Sequence, residues 1–317
     1  MQRILVIRGG AIGDFVLTLP AIKLLRDNFT DSHIEILGYK QIVALAERRF
    51  YADATRSIEY AGLASFFAKG AALPSELANY FRSFDLVCSY LFDPDKIFAT
   101  NLRRCGVETL LVGSPKISDD DHAATQLARP LEELGLSLQS PSARIFPSAA
   151  DREFARSLLE LSATPMFALH PGSGSATKNW PLTSWRELAA QLLRSGAARS
   201  LLVVGGEADL EGLATMKDLR DARVQFAENL PLPHLAARIE RCAMFIGHDS
   251  GISHIAAAVA IPCLLLFGPT NPEVWAPTNA KVRVLQAPAG QLAGLSIADV
   301  NEAVYSSLSA GVGSLSS

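Results

Sequence analysis

Cysteine is scarce and unspaced. Cys88, Cys105, Cys242 and Cys263 stand far apart in 317 residues with no CxxC pair, so neither a disulfide framework nor a zinc motif is expected. Long apolar runs are also missing. No stretch reaches the roughly 18 uninterrupted apolar residues of a membrane-spanning helix. The longest run, Ile255 to Phe267, is interrupted by Pro262 and reads as a buried helix followed by a strand. There is no basic excess either: 29 Lys and Arg stand against 32 Asp and Glu, a net charge of −3. That argues against a dedicated nucleic-acid binder, whose affinity rests on cations. The opening Met1-Gln2-Arg3-Ile4-Leu5-Val6-Ile7 starts a strand and shows no small-residue cleavage site, so no export signal is expected. Together these absences predict a cytoplasmic chain with reduced thiols, any membrane contact being peripheral.

What is present is the composition of a globular protein, 49% hydrophobic and 19% charged, at a length that suits two domains. Short apolar runs alternate with helical patterns. Strands are predicted at 4–8, 33–37, 84–90 and 110–112, with helices at 15–29 and 42–49. The segment 137–149, rich in Ser, Pro and Ala, breaks the rhythm and reads as a linker. The pattern restarts with helices at 151–161, 184–195, 208–219, 232–242 and 251–259. Strands 166–170, 200–205, 224–226 and 243–247 lie between them, with 263–267 as the last strand. A final helix at 297–309 precedes a Gly/Ser tail expected to fray. Such alternation implies parallel pairing and an α/β class. The expectation is two Rossmann-like domains, 1–145 and 146–317, whose parallel sheets face a cleft with ligands outside the strand carboxyl ends.

Four strand-to-helix loops carry candidate chemistry. The first, Arg8-Gly9-Gly10-Ala11-Ile12-Gly13-Asp14, departs from the dinucleotide GxGxxG because Ala11 occupies a glycine position, and it is not a GxxxxGK[ST] loop. Asp14 places a carboxylate at a helix start, where it can act chemically or simply cap the helix. The second, His170-Pro171-Gly172-Ser173-Gly174-Ser175-Ala176-Thr177-Lys178-Asn179-Trp180-Pro181, offers one lysine on a Gly/Ser loop, suited to a diphosphate or to plain solvation. Trp180 reads as a packing anchor. In the third, Val204-Gly205-Gly206-Glu207-Ala208-Asp209, Glu207 can accept from ribose hydroxyls or only complement a helix dipole. In the fourth, Gly247-His248-Asp249-Ser250-Gly251-Ile252-Ser253-His254, Asp249, Ser250 and Gly251 stand at a helix N-terminus fit for phosphate or sugar oxygens. His254 follows one turn later. A GxSxG elbow is excluded by His248. Asp93-Pro94-Asp95 looks like a metal-binding DxD, a pattern short enough to arise by chance, and Asp119-Asp120-Asp121 reads as a solvated turn.

Taken together, Gly13-Asp14 with Thr18-Leu19-Pro20-Ala21, the His170 to Pro181 segment, Gly247 to His254 and Gly268-Pro269-Thr270 resemble glycosyltransferase family 9, the ADP-heptose:lipopolysaccharide heptosyltransferases. The resemblance spans both halves in order. It implies a GT-B fold with the acceptor on the first domain and the nucleotide-sugar on the second. It further implies inverting transfer with no cofactor and no essential metal, and placement at the inner face of the inner membrane. It makes Asp14 the catalytic base and Lys178 the counter-charge to the donor phosphates. Glu207 becomes a ribose contact, and Asp249, Ser250, Gly251 and His254 the rest of the donor cradle. On the acceptor side it points to Gly13, Arg103 and Arg129, and the final helix is expected to cross back onto the first domain. Two features depart from the pattern: an acidic loop after Tyr90, and Gln126 where an arginine is expected. They set the usual lipopolysaccharide acceptor in question. The competing readings are a non-catalytic nucleotide-sugar-binding protein, a GT-B sugar-nucleotide epimerase or hydrolase, and an NAD oxidoreductase, the last weakened by Ala11.

Overall fold

The computed structural model describes residues 2–157 and 163–312. The chain divides into two compact units, Met1–Ser142 and Ala143–Ser317.

Unit 1 holds β1 (Arg3–Arg8), α1 (Ile12–Asn28), β2 (His33–Gly38), α2 (Lys40–Val43), β3 (Ala54–Ser57), α3 (Ser75–Arg82), β4 (Leu86–Ser89), α4 (Ile97–Arg104), β5 (Leu110–Val112) and α5 (Ala123–Ala128). Its sheet runs β3-β2-β1-β4-β5 and every pairing is parallel. Central β1 is covered on both faces, which is why Ile4-Leu5-Val6-Ile7 is a continuous apolar run. Its neighbours β2 and β4 are reached by connections leading in opposite directions, so the loops after β1 and β4 diverge and leave a crevice.

Unit 2 repeats the plan. It holds α6 (Ala149–Ser157), β6 (Met166–His170), α7 (Leu182–Ser195), β7 (Ser200–Gly205), α8 (Leu210–Lys217), β8 (Val224–Glu228), α9 (Leu232–Ile239), β9 (Met244–His248), α10 (Gly251–Ala258), β10 (Cys263–Phe267), α11 (Pro272–Trp275), β11 (Val282–Gln286) and α12 (Ile297–Val312). The strand order is β11-β10-β9-β6-β7-β8, again parallel throughout. The switch point falls between β6 and β9, where His170 pairs with Gly247. The second and fourth loops therefore leave the sheet side by side. α7 shows how the helices seat: Trp185, Leu188, Ala189, Leu192 and Leu193 form one buried stripe. Gly196 ends it in the left-handed region.

Several predicted elements change. Cys263–Phe267 is not the last strand, because β11 adds a parallel strand beside it, and β3 lies outside the strands expected from the sequence. Both are edge strands with partly exposed residues, so neither carries an apolar run. The helix expected at 42–49 shrinks to α2; the chain beyond it turns, with Arg48 at φ 49°. Helices α3 and α4 add to the elements expected from the sequence. The final helix packs within unit 2, where Val300, Ala303 and Val304 join the core around Trp180 and Trp185. The expected helical residues 158–161 and the tail 313–317 lie outside the described residues. All four cysteines are free and buried, and burial pushes the Cys88 and Cys242 thiols up to about 12. Among the described residues, no helix is long and apolar enough to cross a membrane.

Candidate functional site

In unit 1 the crevice beside β1 is an open cleft of about 480 Å³. It is lined from strand carboxyl ends by Arg8, Gly9, Gly10 and Asp14, and by Tyr90, Leu91 and Phe92. Asp14 sits at the third position of α1. Its Oδ2 accepts the Ala11 N–H at 2.8 Å, so the capping reading is realised on one oxygen. The other, Oδ1, lies 3.6 Å from the Arg8 guanidinium, and the side chain remains one-third exposed. Gly10 makes this approach possible: it sits at φ 95°, and a Cβ there would stand 2.6 Å from Asp14 Oδ2.

Arg8 is buried at the root of the cleft. Its Nε donates to Thr18 Oγ1 at 2.9 Å, and that hydroxyl donates to the Asp14 carbonyl at 2.7 Å. The end of β1 and the first turn of α1 are thereby tied together. Burial draws the guanidinium below its usual value, with Asp14 and Tyr90 opposing. Arg8 was not among the sequence candidates. Its signal was a lone arginine closing an apolar strand.

In unit 2 the switch point assembles a denser constellation. Lys178 Nζ meets Asp249 Oδ2 at 2.6 Å, and Thr270 Oγ1 donates to the same oxygen at 2.8 Å. Loops after three strands, β6, β9 and β10, converge on one carboxylate. Ser250 caps α10, accepting the Ser253 N–H, and Gly251 opens the helix. His254 is buried one turn along, its N–H bonded to the Ser250 carbonyl. The helix start favours an anion at this point.

Behind it runs a buried hydrogen-bond chain. His170 Nδ1 lies 3.2 Å from Ser250 Oγ, and its Nε2 lies 3.4 Å from Asp209 Oδ2. Burial raises the Asp209 carboxyl, but hydrogen bonds from His170 and the Gly206 N–H outweigh it and hold the group below the usual range. Asp209, not Glu207, is thus the inward acid of the third loop. Glu207 is exposed at the start of a 3₁₀ turn. The bare α-carbon of Gly172 creates the space, because a Cβ there would stand 1.7 Å from Asp209 Oδ1.

His248 is a framework residue. Its Nε2 accepts from the Trp180 N–H at 2.8 Å and faces Trp185 Nε1 at 3.3 Å, while Nδ1 lies 3.2 Å from the Gly172 carbonyl. Two donors on Nε2 assign the proton to Nδ1. Burial, with no room for a second proton, pushes its pKa down to about 3. Trp180 is a packing anchor, fully buried with Nε1 donating to the Leu295 carbonyl.

Other candidates stand apart from these two sets. Gly13 is half-buried inside α1 and does not line the cleft. Arg103 lies in the last turn of α4, which leads to the amino end of β5, away from the cleft side. Arg129 is held by Asp121 at 3.2 Å. Gln126 staples its own loop: Oε1 accepts the Ser118 N–H, and Nε2 donates to the Ser118 and Asp121 carbonyls. Asp93 caps α4, accepting from the Phe98 and Ala99 N–H groups, so the acidity of its loop is turned into the helix. Among the described residues no His/Cys/Asp/Glu cluster is arranged to hold a metal ion.

Residues 117–304 match the sequence profile of Glycosyltransferase family 9 (heptosyltransferase). The chain is 30% identical over 148 residues to lipooligosaccharide heptosyltransferase 2 of Haemophilus influenzae, a match spanning 44% of this chain and 42% of that protein. It is 24% identical over 294 residues to lipopolysaccharide heptosyltransferase 3 of Escherichia coli, covering 84% and 83% of the two chains. In three dimensions it superposes on E. coli ADP-heptose lps heptosyltransferase II with a TM-score of 0.74 at 20% identity, covering 97% and 98%. That likeness is one of fold: GT-B, with two Rossmann-like domains.

Proposed function

The chain belongs to glycosyltransferase family 9, and from that premise we propose that it transfers a heptose from ADP-heptose to a lipopolysaccharide-core or related glycan acceptor, inverting the anomeric centre without a metal. The observation that carries this reading is the convergence of Lys178, Asp249, Thr270 and the start of α10 on one point of unit 2. A lysine and a helix N-terminus together are suited to the charge that develops on a departing diphosphate. Inversion needs one base on the acceptor hydroxyl. Asp14, one-third exposed in its cleft, has a carboxylate oxygen not taken by the Ala11 amide, and is assigned that task. Metal independence is supported by Asp93, whose carboxylate is occupied with the start of α4. Donor-side contacts are assigned to Lys178, Ser250 and Gly251 at the diphosphate, to Asp249 and His254 at the sugar, and to Glu207 at the ribose.

Thermal shift against ADP, UDP, GDP and their sugars tests the donor. A ligand at 100 times its dissociation constant adds about 2.7 kcal/mol of apparent stability. The expected result is a shift with ADP and ADP-heptose that Lys178→Ala cuts to about half or less, as a loss of affinity of about tenfold or more requires. A preference for UDP or GDP overturns the heptose donor, and no shift with any nucleotide overturns the donor site.

A further inference from the structure

The walls of the unit 1 cleft have a chemistry that the base and its partners do not explain. Three large aromatic side chains stand unusually exposed there: Tyr39 at 43%, Phe67 at 45% and Phe92 at 59%. Exposed aromatic surface gathered at one cleft marks a binding surface. Phe67 is fixed by stacking on Phe98, with centroids 4.8 Å apart, so its ring is a rigid platform. The charged residues of the lining are Arg8, Asp14 and Glu59. Arg8 is balanced by Asp14, which leaves Glu59 as the uncompensated charge on the wall. Among the described residues its carboxylate meets just the Ser57 hydroxyl, which donates to it at 3.3 Å.

We propose that this cleft selects an uncharged saccharide end, laid with its C–H faces on Phe67, Phe92 and Tyr39 and hydrogen-bonded through its hydroxyls to Glu59. The inference rests on the transferase reading and names the acceptor class for that site. A sugar ring offers what the wall can use, apolar faces for aromatic rings and hydroxyl donors for a carboxylate. A phosphate ester brings about −1.5 to −2 charges near neutral pH. At this wall it meets Glu59 and a guanidinium already engaged, so it is repelled rather than held. Lys116 stands outside the lining but its ammonium sits over the Phe92 ring, 5.0 Å from the centroid, so Lys116→Ala accompanies the comparison below and should leave the preference for the free sugar in place.

The test uses a synthetic heptosyl disaccharide, free and as its phosphate monoester. Binding is measured by calorimetry without donor, and transfer is measured separately with ADP-heptose. The free disaccharide is expected to bind at least about fivefold tighter than the monoester. Phe92→Ala should weaken it about tenfold, and Glu59→Gln should narrow the gap between the two forms. Equal or tighter binding of the monoester overturns the inference, as does an unchanged affinity in Phe92→Ala. Selective binding with no transfer upholds the neutral-saccharide cleft and overturns the transferase reading. Transfer without selectivity does the reverse.

Discussion

Lys178 and Asp249 are ion-paired, Nζ to Oδ2 at 2.6 Å, although 71 residues separate them in the chain. Each was a donor-site candidate by itself; the fold makes them one unit, with Thr270 on the same oxygen. The lysine's charge is therefore already compensated when no diphosphate is present. A diphosphate taken up by the proposed donor site would have to compete with a buried carboxylate, and the lysine is held in place meanwhile.

Asp249→Asn should leave ADP affinity unchanged or raise it, while Lys178→Ala should lower it by about tenfold or more, the size of a charge-assisted hydrogen bond. Calorimetric titration with ADP decides. A large loss of ADP affinity in Asp249→Asn would show that the carboxylate itself is part of the diphosphate contact.

Asp14 serves two roles that substitution can separate. Asparagine can still accept the Ala11 N–H but cannot take a proton. Asp14→Asn should keep stability within about 1 kcal/mol and lower transfer about 10²- to 10⁴-fold, with ADP-heptose binding unchanged. Asp14→Ala should lose the cap as well. Denaturation and initial rates on both variants separate the roles, and full activity in Asp14→Asn removes it as the base.

His248 gives stability a pH dependence of known sign. Its folded pKa, about 3, lies below the ordinary 6.5, so between these values only the unfolded chain binds the proton. Stability is then fully present above about 6.5 and falls as pH drops. The slope approaches about 1.4 kcal/mol per pH unit. Between pH 5 and 6.5, before carboxylates contribute much, urea denaturation should show this slope. It should be smaller in His248→Gln, and equal slopes would remove the residue as the cause.

Gly172 and Asp209 should be coupled. Gly172→Ala sets a methyl against Asp209 Oδ1 and should destabilise unit 2 by about 1–3 kcal/mol through overpacking. Asp209→Ala in the same chain makes room, so the double variant should be less damaged than the two single losses added. Simple additivity would mean that the backbone relaxes instead.

Much of the fold could be read from the chain because parallel strands buried on both faces are apolar runs between turn signals. Ile4 to Ile7, Phe167 to Leu169 and Cys263 to Phe267 announce themselves in that way. Edge strands β3 and β11 do not, since their faces are only partly covered and residues such as Arg56 and Arg283 are tolerated in them. The short helices α3 and α4 lack the length that makes periodicity visible.

At the site, the residue types and their order along the loops were set by sequence: a carboxylate after the first strand, a lysine on a Gly/Ser loop, an Asp-Ser-Gly helix start. Those follow from local chemistry, since glycine turns and helix N-termini are written in adjacent residues. Which side chain faces inward was decided only by the tertiary structure. Asp209 rather than Glu207 meets His170, Asp93 turns into α4, and Glu59 rather than Asp93 or Asp95 lines the cleft. Each depends on a partner far away in the chain or on the direction in which a helix starts. A one-residue spacing cannot encode either, because both are fixed by how the strands order themselves in the sheet.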